Sequence, residues 1–138
     1  MAIELRGLTP LLQVYDMPTS VRFYRDLLGF EIVTTSSLLG PDRFHWTWLR
    51  HGGAELMLNT AYEFDDERPS VPEAARVAAH NDTGLFIGCP DVDAAYQELL
   101  SKGVSVQKPI VTGYGMKQMN LRDPDGYGIC FQWSAQSS

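Results

Sequence analysis

The sequence has little of what marks secreted, membrane or nucleic-acid-binding proteins. Its 138 residues include two cysteines, Cys89 and Cys130, which form no CxxC motif. No apolar run approaches the ~20 residues that a membrane-spanning helix needs. Eleven basic and seventeen acidic residues give the chain a net charge of −6. A protein that binds nucleic acid needs a basic surface instead. We therefore expect a cytoplasmic protein with reduced core thiols and with no nucleic-acid or membrane partner.

Motifs for common enzyme chemistry are also missing. The chain contains no Gly-x-Ser-x-Gly elbow, no P-loop and no dinucleotide-binding glycine pattern. With 44% hydrophobic residues, it is long enough to form one domain and to bury roughly two-thirds of its unfolded surface.

An internal repeat is the main feature that is present. The first half predicts a strand, a helix capped by Thr19 or Ser20, and three further strands, at 11–15, 30–33, 45–50 and 54–59. The second half predicts the same order, with a helix capped by Asp91 or Asp93 and strands at 84–89, 104–106, 116–121 and 128–132. We expect Leu99 and Leu100 to point inward from that helix.

One offset relates the two halves: Asp16 plus 75 is Asp91, and Gly53 plus 75 is Gly128. We therefore predict an α+β protein with two repeated βαβββ modules, whose curved mixed sheets surround a cleft. The modules are expected at 8–60 and 83–133, joined by a connector at 61–82 within a single domain covering 1–138.

Two turns fix the predicted hairpins. His51-Gly52-Gly53 sets a register in which opposed residues share a face, namely Trp46 with Asn59, Trp48 with Met57 and Arg50 with Glu55. The other face then carries Thr47, Leu49, Leu56 and Leu58. The segment 123–126, Asp-Pro-Asp-Gly, is typical of a type I turn, and beyond it Cys130 faces the opposite side from Ile129.

The chain resembles the vicinal oxygen chelate superfamily, the glyoxalase/bleomycin resistance/dioxygenase group. The resemblance lies in the segments 14–16 (Val-Tyr-Asp), 20–30 (Ser-Val-Arg-Phe-Tyr-Arg-Asp-Leu-Leu-Gly-Phe) and 123–126, together with the repeat. It implies a cleft between the two modules and a homodimer.

The resemblance also implies positions for metal ligands, and most are unsuitable here. In metal-dependent members, a histidine opens the first strand of each module and a glutamate lies on each last strand. These positions project onto Thr9, Glu55, Gly84 and Cys130. A divalent ion needs three or four protein ligands, so we expect no metal and no cofactor. The three histidines, at 45, 51 and 80, are interpreted as structural or solvated.

Binding is the function that the predicted cleft face favours. It offers an aromatic floor on which a planar or hydrophobic ligand could stack, with Glu55 or the ring faces available to a cationic part of the ligand. The loop at 113–115 could close over such a ligand. The predicted ligand-binding residues are Gln13, Trp46, Trp48, Glu55, Met57, Asn59, Phe86, Tyr114, Met116, Gln118 and Cys130.

We predict a metal-independent protein, similar to the bleomycin-resistance group, that binds and sequesters a small molecule without chemistry. One alternative is a glyoxalase-like lyase or isomerase that uses an unconventional metal site, or Glu55 as a general base. A second alternative is an accessory dimer with a vestigial cleft.

Overall fold

The computed structural model describes residues 2–135. The chain divides into two compact units, with the boundary between Arg68 and Pro69. Each unit contains one four-stranded mixed sheet and its own helices. The predicted α+β class with two βαβββ repeats is confirmed.

The first unit holds strands β1 to β4 and helix α1. Its elements are β1 (Leu11–Val14), α1 (Met17–Val21), a π-helix (Arg22–Leu27), β2 (Glu31–Thr35), β3 (Trp46–His51), β4 (Ala54–Thr60) and a 3₁₀ turn (Asp65–Glu67). The sheet order is β1-β4-β3-β2. Strand β1 runs parallel to β4, and the other pairs are antiparallel.

The second unit repeats this plan after a connector helix. Its elements are α2 (Ala74–Ala79), a 3₁₀ turn (His80–Asp82), β5 (Gly84–Gly88), α3 (Val92–Ser101), β6 (Ile110–Val111), β7 (Met116–Arg122) and β8 (Gly128–Ser134). The sheet order is β5-β8-β7-β6, with β5 parallel to β8.

The predicted register of the first hairpin is confirmed. Trp46 lies opposite Asn59, Trp48 opposite Met57 and Arg50 opposite Glu55. The alternate residues form the core side of the sheet, as the period of two requires. Buried on that side are Thr47, Leu49, Leu56 and Leu58, together with Leu12 and Val14.

Aspartates 75 residues apart begin the main helices. The Asp16 carboxylate accepts a hydrogen bond from Thr19 N at 3.2 Å, and the Asp91 carboxylate accepts one from Ala94 N at 3.0 Å. The prediction of Thr19 or Ser20 as the first cap was wrong, because Asp16 has the extended backbone of an N-cap and Pro18 fits the first turn. For α3, Asp91 and not Asp93 is the cap.

Two predictions in the second unit were wrong. Residues 104–106 form no strand, and the edge strand β6 lies instead at Ile110–Val111, because hydrogen bonds to β7 are made there. Leu100 is 42% exposed whereas Leu99 is buried, since consecutive residues lie about 100° apart around a helix.

The turn between β7 and β8 forms as predicted. Gly126 N donates to Asp123 O at 3.0 Å, and Gly126 has φ +88°. The connector packs on this turn: Arg76 forms an ion pair with the buried Asp125 carboxylate at 2.8 Å. His80 is not solvated as predicted, because its ring stacks on Tyr127 with the centroids 3.9 Å apart and its Nδ1 lies 2.7 Å from Asp125 O.

Other predicted histidine positions differ in part. His51 lies at the predicted turn, and its Nδ1 is 3.0 Å from Leu28 O. The predicted strand at 45–50 began one residue too early, because β3 begins at Trp46 and His45 is exposed before it. Within residues 2–135, no helix is both long enough and apolar enough to cross a bilayer.

Candidate functional site

The second sheet has a polar face on the side opposite its core residues Met119 and Ile129. Residues on this face align in rows across β5, β8 and β7, because paired residues share a face. The rows are Gly84, Gly128 and Arg122; then Phe86, Cys130 and Asn120; then Gly88, Gln132 and Gln118. We call these nine residues the second-unit face.

A depression of about 460 Å³ lies over the first two rows of this face. Its volume falls within the range of small-molecule pockets, ~300–1,000 Å³. Phe86 is 64% exposed, and its ring edge lies 3.4 Å from the position that a Cβ atom at Gly84 would occupy. The segment 105–107, Ser-Val-Gln, also lines the depression. An exposed aromatic ring therefore borders a cavity of ligand size.

Hydrogen-bonded side chains occupy the third row and reach the loop before β7. Gln118 Nε2 donates to Gln132 Oε1 at 2.9 Å and to the Tyr114 hydroxyl at 3.0 Å. Gln118 is buried, whereas Tyr114 is 73% exposed. The predicted loop residue Tyr114 is thus held to the sheet by Gln118, and Met116, at the start of the same strand, is half-buried.

The first sheet has a corresponding face, which carries the predicted tryptophans. The Arg50 guanidinium lies 5.7 Å from the centre of the Trp48 ring, and its Nε donates to Glu55 Oε1 at 2.9 Å. The Asn59 amide approaches Gln13 Oε1 at 3.5 Å. We call the following residues the first-unit face: Leu11, Gln13, Trp46, Trp48, Arg50, Glu55, Met57 and Asn59.

Trp48 Nε1 is buried and has no hydrogen-bond acceptor in the described part of the chain. An unsatisfied buried donor costs roughly 1–3 kcal/mol. An acceptor atom supplied by water or by a ligand would remove that cost.

The residues at the superfamily's metal-ligand positions do not fit a metal ion. The offset of 75 pairs Glu55 with Cys130, but the sheet register corrects this mapping. Leu11 lies level with Met57 in the first sheet, whereas Phe86, its counterpart, lies level with Cys130. Gly128 is therefore the structural counterpart of Glu55. Glycine provides no side-chain ligand, and no group of three His, Cys, Asp or Glu side chains in residues 2–135 is arranged to hold a metal.

Cys130 is also unsuited to bind a metal or to act as a nucleophile. Its side chain is buried, and burial raises the pKa of the thiol above its ordinary value of 9.0. Because the thiolate is the species that binds metals and attacks electrophiles, Cys130 is a neutral part of the depression's floor. Cys89 has a pKa raised for the same principal reason.

Arg122 was not predicted as part of the site. The sequence prediction ended β7 at Leu121, whereas the strand continues to Arg122, which lies opposite Gly128. Its Nη1 donates to Gly126 O at 2.9 Å. Gln118 and Asn120 point to the same face because side chains alternate along a strand. Extending the predicted strand by one residue would have placed Arg122 on that face as well.

The comparisons with known proteins agree with the fold. The family model for the "Glyoxalase/Bleomycin resistance protein/Dioxygenase superfamily" matches residues 8–131. No curated protein sequence matches at a significant level.

Among solved structures, TnmS3, an antibiotic binding protein from Streptomyces sp. CB03234, is 22% identical with a TM-score of 0.68, over 96% of this chain and 99% of its own. A bleomycin-binding protein complexed with bleomycin is 20% identical with a TM-score of 0.65, over 94% and 99%. A virulence protein from Salmonella typhimurium is 25% identical with a TM-score of 0.64, over 96% and 98%.

Both βαβββ units and nearly the whole chain are accounted for by this match. The chain therefore belongs to the glyoxalase/bleomycin resistance protein/dioxygenase superfamily.

Proposed function

We propose that this protein binds a planar or hydrophobic small molecule, and sequesters it without a metal, in the manner of an antibiotic-resistance protein. The observation that carries the proposal is the depression of about 460 Å³ beside the Phe86 ring. Two structural neighbours are an antibiotic binding protein and a bleomycin-binding protein, which supports a small-molecule ligand of this class.

Phe86 is the residue through which the depression is proposed to bind an aromatic ring. Its side chain is 64% exposed although large apolar side chains are usually buried. A ligand ring packed on it would remove apolar surface from water and add an aromatic contact worth ~0.5–1.5 kcal/mol beyond the area term. The first-unit face, with Trp46, Trp48 and Met57 half-buried, offers a second apolar surface of the same kind.

A screen of aromatic compounds, including bleomycin, by thermal shift would identify ligands, because a compound that binds the native state raises the unfolding midpoint. Phe86→Ala is expected to weaken binding of a compound found in this way about tenfold, or ~1.4 kcal/mol. Phe64→Ala is the matched control, since Phe64 is 60% exposed and does not line the depression. Failure of every compound to raise the midpoint would contradict the proposal.

Two further measurements separate sequestration from catalysis. The bound compound should be recovered chemically unchanged, and its affinity should be the same with and without EDTA. Turnover of the compound, or loss of binding in EDTA, would favour the lyase or isomerase alternative instead. Glu55 gives that alternative little support as a general base, because its Oε1 is already engaged by Arg50.

A homodimer remains part of the proposal and rests on the family resemblance. Equilibrium sedimentation that detects only monomer would remove it.

A further inference from the structure

Among the described residues, Arg122 has no acidic partner in the depression over the second sheet. Within residues 2–135, eight of the eleven basic side chains form an ion pair with a carboxylate, and Arg122 is not among them. Of the thirteen residues that line the depression, Arg122 alone is charged. The carboxylate next to it in sequence, Asp123, is buried in the turn and accepts hydrogen bonds from Asp125 N and Tyr127 N.

The first unit shows what neutralises the equivalent arginine. The sheet registers make Arg50 the counterpart of Arg122, since Arg50 lies opposite Glu55 and Arg122 lies opposite Gly128. Arg50 donates to the Glu55 carboxylate at 2.9 Å. In the second unit no side chain projects from the opposite residue, so the carboxylate is missing while the guanidinium is kept.

Gly128 also keeps the space beside the Arg122 guanidinium free of side-chain atoms. A Cβ atom at this position would lie 3.7 Å from Arg122 Nη1 and 3.2 Å from Thr83 O. The guanidinium uses Nη1 to reach Gly126 O at 2.9 Å, and no hydrogen bond within the described residues uses its Nη2 or Nε. The N–H groups of these two nitrogen atoms therefore remain for an incoming group.

We propose that the depression binds a planar aromatic carboxylate, with Arg122 receiving the carboxylate and Phe86 packing against the ring. The inference rests on the proposed function and specifies its ligand class. Arginine favours this group because its planar fork of N–H donors matches the two carboxylate oxygens. The rows of Arg122 and Phe86 are two residues apart along the strands, or ~6.6 Å, and their strands, β7 and β5, lie two strand spacings apart, or ~9.6 Å. The two Cα atoms are therefore about 12 Å apart, and we expect a two-ring acid to bridge the two side chains that extend from them. Asn120, in the same row as Phe86, adds an amide for a polar ring substituent.

The test compares 2-naphthoate with 2-naphthamide, which have the same ring system and differ in charge, by isothermal titration calorimetry at low salt. We expect the acid to bind about tenfold more tightly than the amide. Arg122→Gln should abolish this preference. Gly128→Glu should do the same, because it supplies the carboxylate that Glu55 supplies in the first unit.

Arg22→Gln is the matched control, because Arg22 is also exposed and also has no ion pair with any described residue, but lies in the first unit. It should keep the tenfold preference. Equal affinity for acid and amide in the unaltered protein, or a preference that survives Arg122→Gln in a variant with an unchanged unfolding midpoint, would overturn the carboxylate site and leave the proposed binding function intact. Absence of binding by both probes and by every other aromatic compound would count against both proposals.

Discussion

The turn between β7 and β8 is packed against the connector helix so closely that Gly126 has no room for a side chain. A Cβ atom there would lie 2.7 Å from the backbone oxygen of Val77, and the residue has φ +88°. Gly52, in the first hairpin, also has a positive φ of +57°, but no atom lies within 4 Å of its Cβ position. Replacing each glycine with alanine therefore separates crowding from backbone strain.

The expected losses of stability follow from these two terms. A left-handed backbone costs an alanine roughly 1–2 kcal/mol, and both variants incur this cost. Only Gly126→Ala adds the contact with Val77, and overpacking of a filled site costs typically ~1–3 kcal/mol. The free energy of unfolding should fall by about 1–2 kcal/mol in Gly52→Ala and by about 2–5 kcal/mol in Gly126→Ala.

Urea unfolding followed by far-ultraviolet circular dichroism measures both values. With an m-value of ~2 kcal/mol/M, the midpoint of Gly126→Ala should lie about 0.5–1.5 M below that of Gly52→Ala. Equal midpoints for the two variants would refute the close packing of the connector on the turn, since the strain term alone would then account for both losses.

Two further predictions concern ion pairs. Arg76→Gln leaves the Asp125 carboxylate buried without its cation, and the free energy of unfolding in urea should fall by about 3–5 kcal/mol. Arg6→Gln breaks an ion pair that is exposed on both sides and should change the free energy of unfolding by less than about 1 kcal/mol. Burial by itself raises the pKa of Asp16, but hydrogen bonds from Thr19 and the ion pair with Arg68 outweigh it, so the pKa lies below its ordinary value of 3.8. This lowered pKa stabilises the fold fully above pH ~4, and the stabilisation is lost as pH falls through the folded-state value. The stability advantage over Asp16→Asn should therefore be smaller at pH 3 than at pH 7, and an advantage independent of pH would contradict this assignment.

Much of the fold was predictable because its signals are local. The two-residue turn at Gly52-Gly53 fixes the pairing of β3 with β4 residue by residue, and the helix ends follow from aspartate caps and from Gly29 and Gly103, both at positive φ. The first cap was misassigned by a few residues because Asp, Thr and Ser all favour that position.

The second half of the site was less predictable for a physical reason. Strands β1 and β4, like β5 and β8, pair in parallel across a long connection, so no turn sets either register. The second unit was aligned to the first by the offset alone. The offset of 75 holds from Asp16 to Asp91 but not from β4 to β8, and it therefore misaligned Cys130 with Glu55. The segment 105–107 lines the depression without belonging to any strand. Alternation of side chains along a strand therefore could not predict that it lines the site.

The two sheet faces differ mainly in how the positive charge of one arginine is neutralised. Each face has an arginine at the same level of its third strand, and the residue opposite is Glu55 in one unit and Gly128 in the other. The carboxylate of Glu55 occupies its arginine with a hydrogen bond of 2.9 Å. A ligand carboxylate at Arg122 would make the equivalent contact, and it would do so beside an exposed aromatic ring in a cavity large enough for the rest of the molecule. The first unit thus contains, within one chain, the pairing that we propose a ligand completes in the second.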